Sequence, residues 1–104
     1  MYLDEKKFGE TPVPAPDVLG SALLTAAAYM EQKGHAKWEL RDDSGAVCFN
    51  GALFHGAGLA TSDLWLAAAQ RCGFESTMAA VAWNNVPERT GAEVIARLRT
   101  GAQS

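Results

Sequence analysis

The 104-residue sequence predicts an all-α fold, a compact bundle of about five short helices in one domain. Apolar residues recur at helical spacing in several segments, and residues that favour helix ends bound those segments. Connections of about two to eight residues between the segments favour close packing of the helices. A hydrophobic content of 48% against 20% charged residues is typical of a chain with one buried core.

Composition and charge narrow the classes of function. The net charge of −3 counts against non-specific nucleic-acid binding, which depends on neutralising phosphates, so no nucleic-acid partner is expected. Two cysteines do not make a disulfide framework, and no signal peptide is evident. Every apolar run is shorter than the roughly 20 residues that span a membrane. The sequence therefore predicts a soluble cytoplasmic protein with free thiols and no membrane partner.

The first segment differs from the rest of the chain. Residues 1–15 carry mixed charges, and a Pro-Val-Pro-Ala-Pro run that begins at Pro12 favours extended polyproline geometry. We expect an extended Pro-rich N-terminal arm there, followed by a helical domain over residues 16–104. The first helix is predicted at 16–33, with Pro16 in its first turn. Its predicted inner face is formed by Leu19, Leu23, Ala26, Ala27 and Met30.

The middle of the chain is less regular. Residues 35–40 alternate in polarity without a clear partner strand, which favours an extended connector or a single helical turn. Residues 41–45 form a predicted turn. A short buried helix is expected at 46–56, where Gly51 permits close packing, and a strand over residues 47–50 is the competing interpretation. The predicted inner face of this helix is formed by Cys48, Ala52 and His55.

Capping residues predict two further helices. Thr61 or Ser62 caps a helix that ends near Gly73. Ser76 or the threonine after it caps a helix over residues 77–84. The predicted inner faces are Leu64, Trp65, Ala68 and Cys72 in the first of these helices, and Met78, Val81 and Ala82 in the second.

The last helix has the most specific start. Thr90 and Glu93 have the spacing of a capping box, in which each side chain bonds the backbone N–H of the other residue. An apolar stripe at Val94, Ile95 and Leu98 follows. Gly101 is predicted to close this helix in the left-handed conformation.

Two segments carry a resemblance to known domains. The first, residues 45–53, contains Gly-Ala-Val-Cys and then Gly-Ala-Leu, and the second, residues 83–94, contains Trp-Asn-Asn, Arg-Thr and Glu-Val. Over residues 18–102 the chain resembles a small uncharacterised domain family of actinobacteria and their phages, which pairs these segments and has no assigned activity. Asn85 stands where that family more often shows Asp. The resemblance implies the fold and an origin in actinobacteria or their phages, and it implies no reaction.

Metal and thiol chemistry are weak hypotheses. His35, Cys48, His55 and Cys72 are ligand-type residues, but they lack the short paired spacings of structural zinc sites. No metal and no cofactor are expected. Cys48 is too far from His55 for a direct hydrogen bond within one helix, so we expect a small core residue and no catalytic residue there.

The turn before the last helix is a candidate binding site. Asn84, Asn85 and Arg89 cluster there beside Trp83. A local structural role explains these residue types: the asparagine side chains hold the turn, and Arg89 pairs with a neighbouring Glu or a helix carbonyl. The alternative is a polar recognition patch.

Adjacent large apolar residues suggest a partner surface. Leu23–Leu24 and Trp65–Leu66 are neighbours on helices, so one member of each pair points away from the core. Trp38 and Trp65 are candidates for the core, although tryptophan is also common at interface centres. The surface predicts a homodimer or an unidentified protein partner. The candidate partner-binding residues are Leu24, Trp65, Leu66, Trp83, Asn84, Asn85 and Arg89.

These patterns predict a small non-enzymatic protein-binding or regulatory module. By the resemblance it is a phage-encoded module that acts on a host protein. One alternative is a helix–turn–helix DNA-binding regulator over residues 77–99, with Arg89, Arg97 and Arg99 on phosphates. Another alternative is an enzyme or ligand-binding domain centred on Cys48.

Overall fold

The computed structural model of the protein describes residues 18–103. The predicted arm at 1–15 and the predicted helix start at Pro16 lie outside the described residues. Within them five helices form and no strand does, which confirms the predicted fold class. The helices are α1 (Val18–Lys33), α2 (Phe49–Gly51, continuing as a π-helical turn over Ala52–Gly56), α3 (Ser62–Arg71), α4 (Thr77–Asn84) and α5 (Gly91–Ala102).

The first and last helices form the centre of the fold. α1 packs on α5 and on the π-helical turn of α2, while α4 packs on α2 and α3. The predicted inner face of α1 is confirmed, because Leu23, Ala26, Ala27 and Met30 are buried and Leu19 packs against them. The largest fully buried side chains of the core are Leu23, Met30, Val47, Phe49, Leu53, Val94 and Leu98.

An irregular segment joins α1 to α2. Val47 forms single β-bridge pairs with His35 and Arg41. Residues 35–40 are a connector without a helical turn, but it is not extended throughout, because residues 37–40 bend and Trp38 is left-handed. The predicted turn at 41–45 is confirmed. Its geometry is set by Asp42, whose carboxylate accepts hydrogen bonds from the Ser44 and Ala46 backbone N–H groups and from the Ser44 hydroxyl.

The predicted start of α2 at Ala46 is wrong. The helix begins at Phe49, and Val47 is extended because its backbone pairs with the connector. Cys48 is the N-cap of α2 and lies outside the helical face predicted for it; its Sγ accepts a hydrogen bond from the Gly51 N–H at 3.3 Å. Gly51 does permit close packing, since a Cβ there would overlap the Leu40 carbonyl oxygen.

The predicted caps of the later helices are confirmed. Thr61 caps α3 and Ser76 caps α4, each through its side-chain oxygen. Thr90 and Glu93 form the predicted capping box at the start of α5. Gly101 was predicted to close that helix, but it lies inside α5 and is buried against Cys72.

The predicted inner face of α4 is wrong. Ala80 and Asn84 are buried, whereas Met78 is 73% exposed and Ala82 is exposed. Leu64, predicted on the inner face of α3, is also exposed. The apolar stripe of α4 faces away from the core because the opposite side of the helix, which carries the polar residue Asn84, packs into the core.

Candidate functional site

Two adjacent asparagines connect the end of α4 to the connector. Asn84 is fully buried, and its Oδ1 accepts hydrogen bonds of 3.0 Å from the Phe49 N–H and from His35 Nε2. Its Nδ2 donates to the Ala36 carbonyl at 3.1 Å and to Asn85 Oδ1 at 3.0 Å. The expectation that these asparagines bond the backbone of their own turn is therefore wrong, since apart from the bond between them their partners lie far away in the sequence. They hold three separate segments together.

Trp38 is held in an unusual conformation beside this cluster. Its φ of 71° lies in the left-handed region, which a bulky L-residue rarely adopts. Its backbone N–H donates to Asn85 Oδ1 at 2.9 Å, and the Lys37 Nζ donates to the Pro87 carbonyl at 2.8 Å. The side chain of Trp38 is 79% exposed, so the prediction that it is a core residue is wrong.

The exposed indole borders a surface groove. The groove has a volume of about 430 Å³ and lies between the connector and the outward face of α4. We call it the Trp38 groove; its walls are Trp38, Met78, Val81, Ala82, Val86 and Pro87, with Asn85 among them. None of these side chains carries a charge, so the groove suits an uncharged, largely apolar ligand.

Asn85 supplies the polar side chain of the Trp38 groove. Its Oδ1 receives hydrogen bonds from two donors, the Trp38 N–H and Asn84 Nδ2, and this fixes the orientation of its amide. Among the described residues both side-chain hydrogen bonds of Asn85 go to its Oδ1 and none to its Nδ2, although Asn85 is only 6% exposed. Asn85 lines the groove, and its Nδ2 is the donor that would match a carbonyl oxygen of a ligand.

A smaller pocket of about 270 Å³ adjoins the groove on the side of Cys48. It shares Trp38, Val81 and Asn85 with the groove. Cys48 itself is 7% exposed, and burial raises the pKa of its thiol above the ordinary value. A nucleophilic cysteine needs a lowered pKa, so this environment favours an inert thiol. Burial likewise raises the pKa of the Cys72 thiol to about 11.

Trp83 and Arg89 contact each other across the turn between α4 and α5. The Arg89 guanidinium stacks on the Trp83 ring at 4.0 Å from its centroid, and Arg89 Nε donates to the Trp83 carbonyl at 3.0 Å. Arg89 also pairs with Glu93 at 3.6 Å. These contacts match the expectation that Arg89 pairs with a glutamate or a helix carbonyl.

The arginines proposed for DNA contact have other partners. Arg97 Nε donates to the Cys72 carbonyl at 2.6 Å, and its guanidinium stacks on Phe74 at 4.3 Å. Arg99 bonds Glu31 at 2.9 Å. Each of these arginines, like Arg89, therefore has a partner within the chain, and the helix–turn–helix alternative stays a prediction.

The other candidate residues lie away from the groove. Leu24 is 51% exposed on α1, and Leu66 is exposed on α3. Trp65 is half-buried, and its indole N–H donates to the Leu59 carbonyl at 2.6 Å. The indole N–H of Trp65 is thus bonded within the chain, whereas the side chain of Trp38 is 79% exposed.

Within residues 18–103, no three His, Cys, Asp or Glu side chains are grouped so that they could hold a metal ion. The helices of that same range are too short or too polar for any of them to cross a membrane.

The fold and the site define a small helical domain with an uncharged surface groove beside a buried asparagine pair. The model of a family of unknown function, DUF6197, matches residues 14–104, and the chain belongs to that family. No curated protein and no solved structure matches the chain.

Proposed function

We propose that the chain is a non-enzymatic protein-binding module that holds an extended, proline-bearing segment in the Trp38 groove. The observation that carries this proposal is the 79% exposed Trp38, fixed in a left-handed conformation at the edge of an uncharged groove. Strained backbone and a large exposed aromatic side chain are both costly, and both are typical of binding sites.

The chemistry of the groove supports a proline-bearing ligand. Flat aromatic and aliphatic walls accept pyrrolidine rings, and a polyproline segment exposes carbonyl oxygens while lacking N–H groups at its prolines. The groove offers the Asn85 Nδ2 donor, while Asn85 Oδ1 and the Pro87 carbonyl already accept hydrogen bonds. A ligand that supplies acceptors and few donors matches this groove. If it is already extended, it loses little entropy on binding.

The Asn84–Asn85 pair holds the connector wall of the Trp38 groove in place. Asn85 fixes the backbone of Trp38, and Asn84 fixes the connector through the Ala36 carbonyl. Because both asparagines are buried, the backbone of Trp38 is held in place before any ligand arrives. Such preorganisation lowers the entropic cost of binding.

The setting of this activity is also a proposal. Two buried free thiols, Cys48 and Cys72, fit a reducing compartment, and we place the module in the cytoplasm. The resemblance to domains of actinobacteria and their phages supports a phage-encoded protein that acts on a host protein.

Nuclear magnetic resonance titration with an oligoproline peptide tests the proposal. We expect saturable shifts of the Trp38 indole N–H and of the Asn85 side-chain amide. A peptide with alanine in place of proline should bind at least about tenfold more weakly, as loss of a binding hot spot does. Trp38→Ala should abolish the shifts at Asn85, while Leu66→Ala, on the exposed surface of α3, should leave them unchanged. Equal binding of both peptides, or binding that survives Trp38→Ala, would contradict the proposal.

A further inference from the structure

The chain itself contains a ligand of the chemistry that the Trp38 groove fits. Residues 12–16 read Pro-Val-Pro-Ala-Pro, an uncharged run with proline at alternate positions. We infer that, in the purified protein, this run from a second copy of the chain fills the Trp38 groove. The inference rests on the proposed function and names the source of the bound segment.

Chain length excludes the same copy as the source. The 16 residues of α1 extend about 24 Å at a rise of about 1.5 Å per residue. The groove lies beyond the C-terminal end of α1, where His35 bonds Asn84 next to Asn85. Pro14, the middle of the run, precedes Val18 by four residues, which span at most about 14 Å in any conformation. The run therefore cannot reach Asn85 within one copy.

A proline run from a second copy is not limited by this distance, and its exchange between two copies gives a closed dimer. In a two-fold dimer, each copy places its proline run in the groove of the other, so the two contacts are identical. Once the first run is bound, the second binds at the high effective concentration of a tethered segment. Two modest contacts thereby give one stable dimer. The same exchange leaves the groove occupied until a competing proline-bearing segment displaces the arm.

Sedimentation equilibrium on the full chain tests the exchange. We expect the wild type to be a dimer at micromolar concentration. Pro12→Ala combined with Pro14→Ala should weaken the dimer at least about tenfold, as should Trp38→Ala, since each removes one side of the same contact. The double variant keeps Pro16, the residue at which the sequence predicts that the first helix begins. A matched control, Leu24→Ala with Leu66→Ala, changes two exposed apolar residues outside the groove and should leave the dimer intact.

A second measurement separates this inference from the proposed function. The variant with Pro12→Ala and Pro14→Ala has vacant grooves, so it should bind the oligoproline peptide more tightly than the wild type does. A wild-type monomer that binds the peptide would overturn the exchange and leave the proposed function standing. A dimer that depends on Leu24 and Leu66 and not on Trp38 would also overturn it. Failure of both proteins to bind the peptide would overturn the proposed function and the exchange together.

Discussion

Asn85 Oδ1 accepts a hydrogen bond of 2.9 Å from the backbone N–H of Trp38, a residue 47 positions earlier in the chain. This bond connects a buried amide to the most unusual backbone conformation among the described residues, the positive φ of Trp38. Asn85 receives its second hydrogen bond from Asn84, so the two asparagines act as one unit. The exposed part of the site thus depends on Asn84, a fully buried group that does not line the groove.

Asn84→Ala should be the most damaging single change in this unit. It removes four hydrogen bonds and leaves the buried Phe49 N–H and the Ala36 carbonyl without their partner. An unsatisfied buried polar group costs about 1–3 kcal/mol, so we expect a loss of about 3 kcal/mol in the free energy of unfolding. Urea denaturation followed by circular dichroism measures it. Met78→Ala, on the exposed face of α4, is the control and should change the midpoint little; equal effects of the two changes would refute this role.

Trp38→Gly should separate binding from stability. An L-residue in the left-handed conformation costs roughly 1–2 kcal/mol, and glycine does not incur this cost. We therefore expect Trp38→Gly to be more stable than Trp38→Ala by about 1 kcal/mol. Both variants lose the indole, so neither should bind the oligoproline peptide. Thermal unfolding of the pair gives the comparison, and a Trp38→Ala protein as stable as Trp38→Gly would mean that the strain is absent in solution.

The stability of the fold should depend on His35 in mildly acidic solution. Burial lowers the pKa of His35 below its ordinary value of 6.5, although its hydrogen bond with Asn84 raises it and the charge of Lys37 lowers it further. The folded state therefore binds fewer protons than the unfolded state just below pH 6.5, and stability falls as the pH falls through that window.

Unfolding midpoints measured from neutral pH down to about pH 5.5, just below the usual titration range of histidine, test this dependence. His35→Gln keeps a side-chain donor for Asn84 and cannot titrate, so its midpoint should fall less than that of the wild type. His55→Gln keeps His35 and should keep the dependence that His35 causes. Identical pH profiles for the wild type and His35→Gln would show that His35 does not contribute.

The features that could be predicted from the sequence are those that depend on residues close together in the chain. The helical spacing of α1 and the capping box of Thr90 and Glu93 involve residues within a few positions of one another, so their patterns are visible in the sequence. Asn84 differs, because its partners Phe49 and His35 lie 35 and 49 positions away. No local pattern shows that a polar residue at a helix end will be buried by distant segments.

The same cause explains the misassigned face of α4. Spacing identified Met78, Val81 and Ala82 as one apolar stripe, and they do share a groove. Periodicity does not tell which side of a helix meets the core when a buried Asn occupies the other side. The sequence pattern that could have indicated the groove was an apolar stripe on a helix that ends in an Asn-Asn pair. The left-handed conformation of Trp38 had no such signal, since it follows from the position of Asn85.

Gly101→Ala should destabilise the protein even though alanine is the better helix former. Helix propensity alone would favour the change by about 1 kcal/mol. A Cβ on Gly101, however, would overlap the Sγ of Cys72 and lie 3.2 Å from its Cα, which is backbone and cannot rotate away. Overpacking a buried contact costs about 1–3 kcal/mol, so we expect a net loss of about 1 kcal/mol in the free energy of unfolding. Cys72→Ala removes the sulfur and should offset part of the loss when combined with Gly101→Ala. A double-mutant cycle by urea denaturation measures the coupling, and additive effects of the two changes would mean that α5 does not pack on Cys72 at this point.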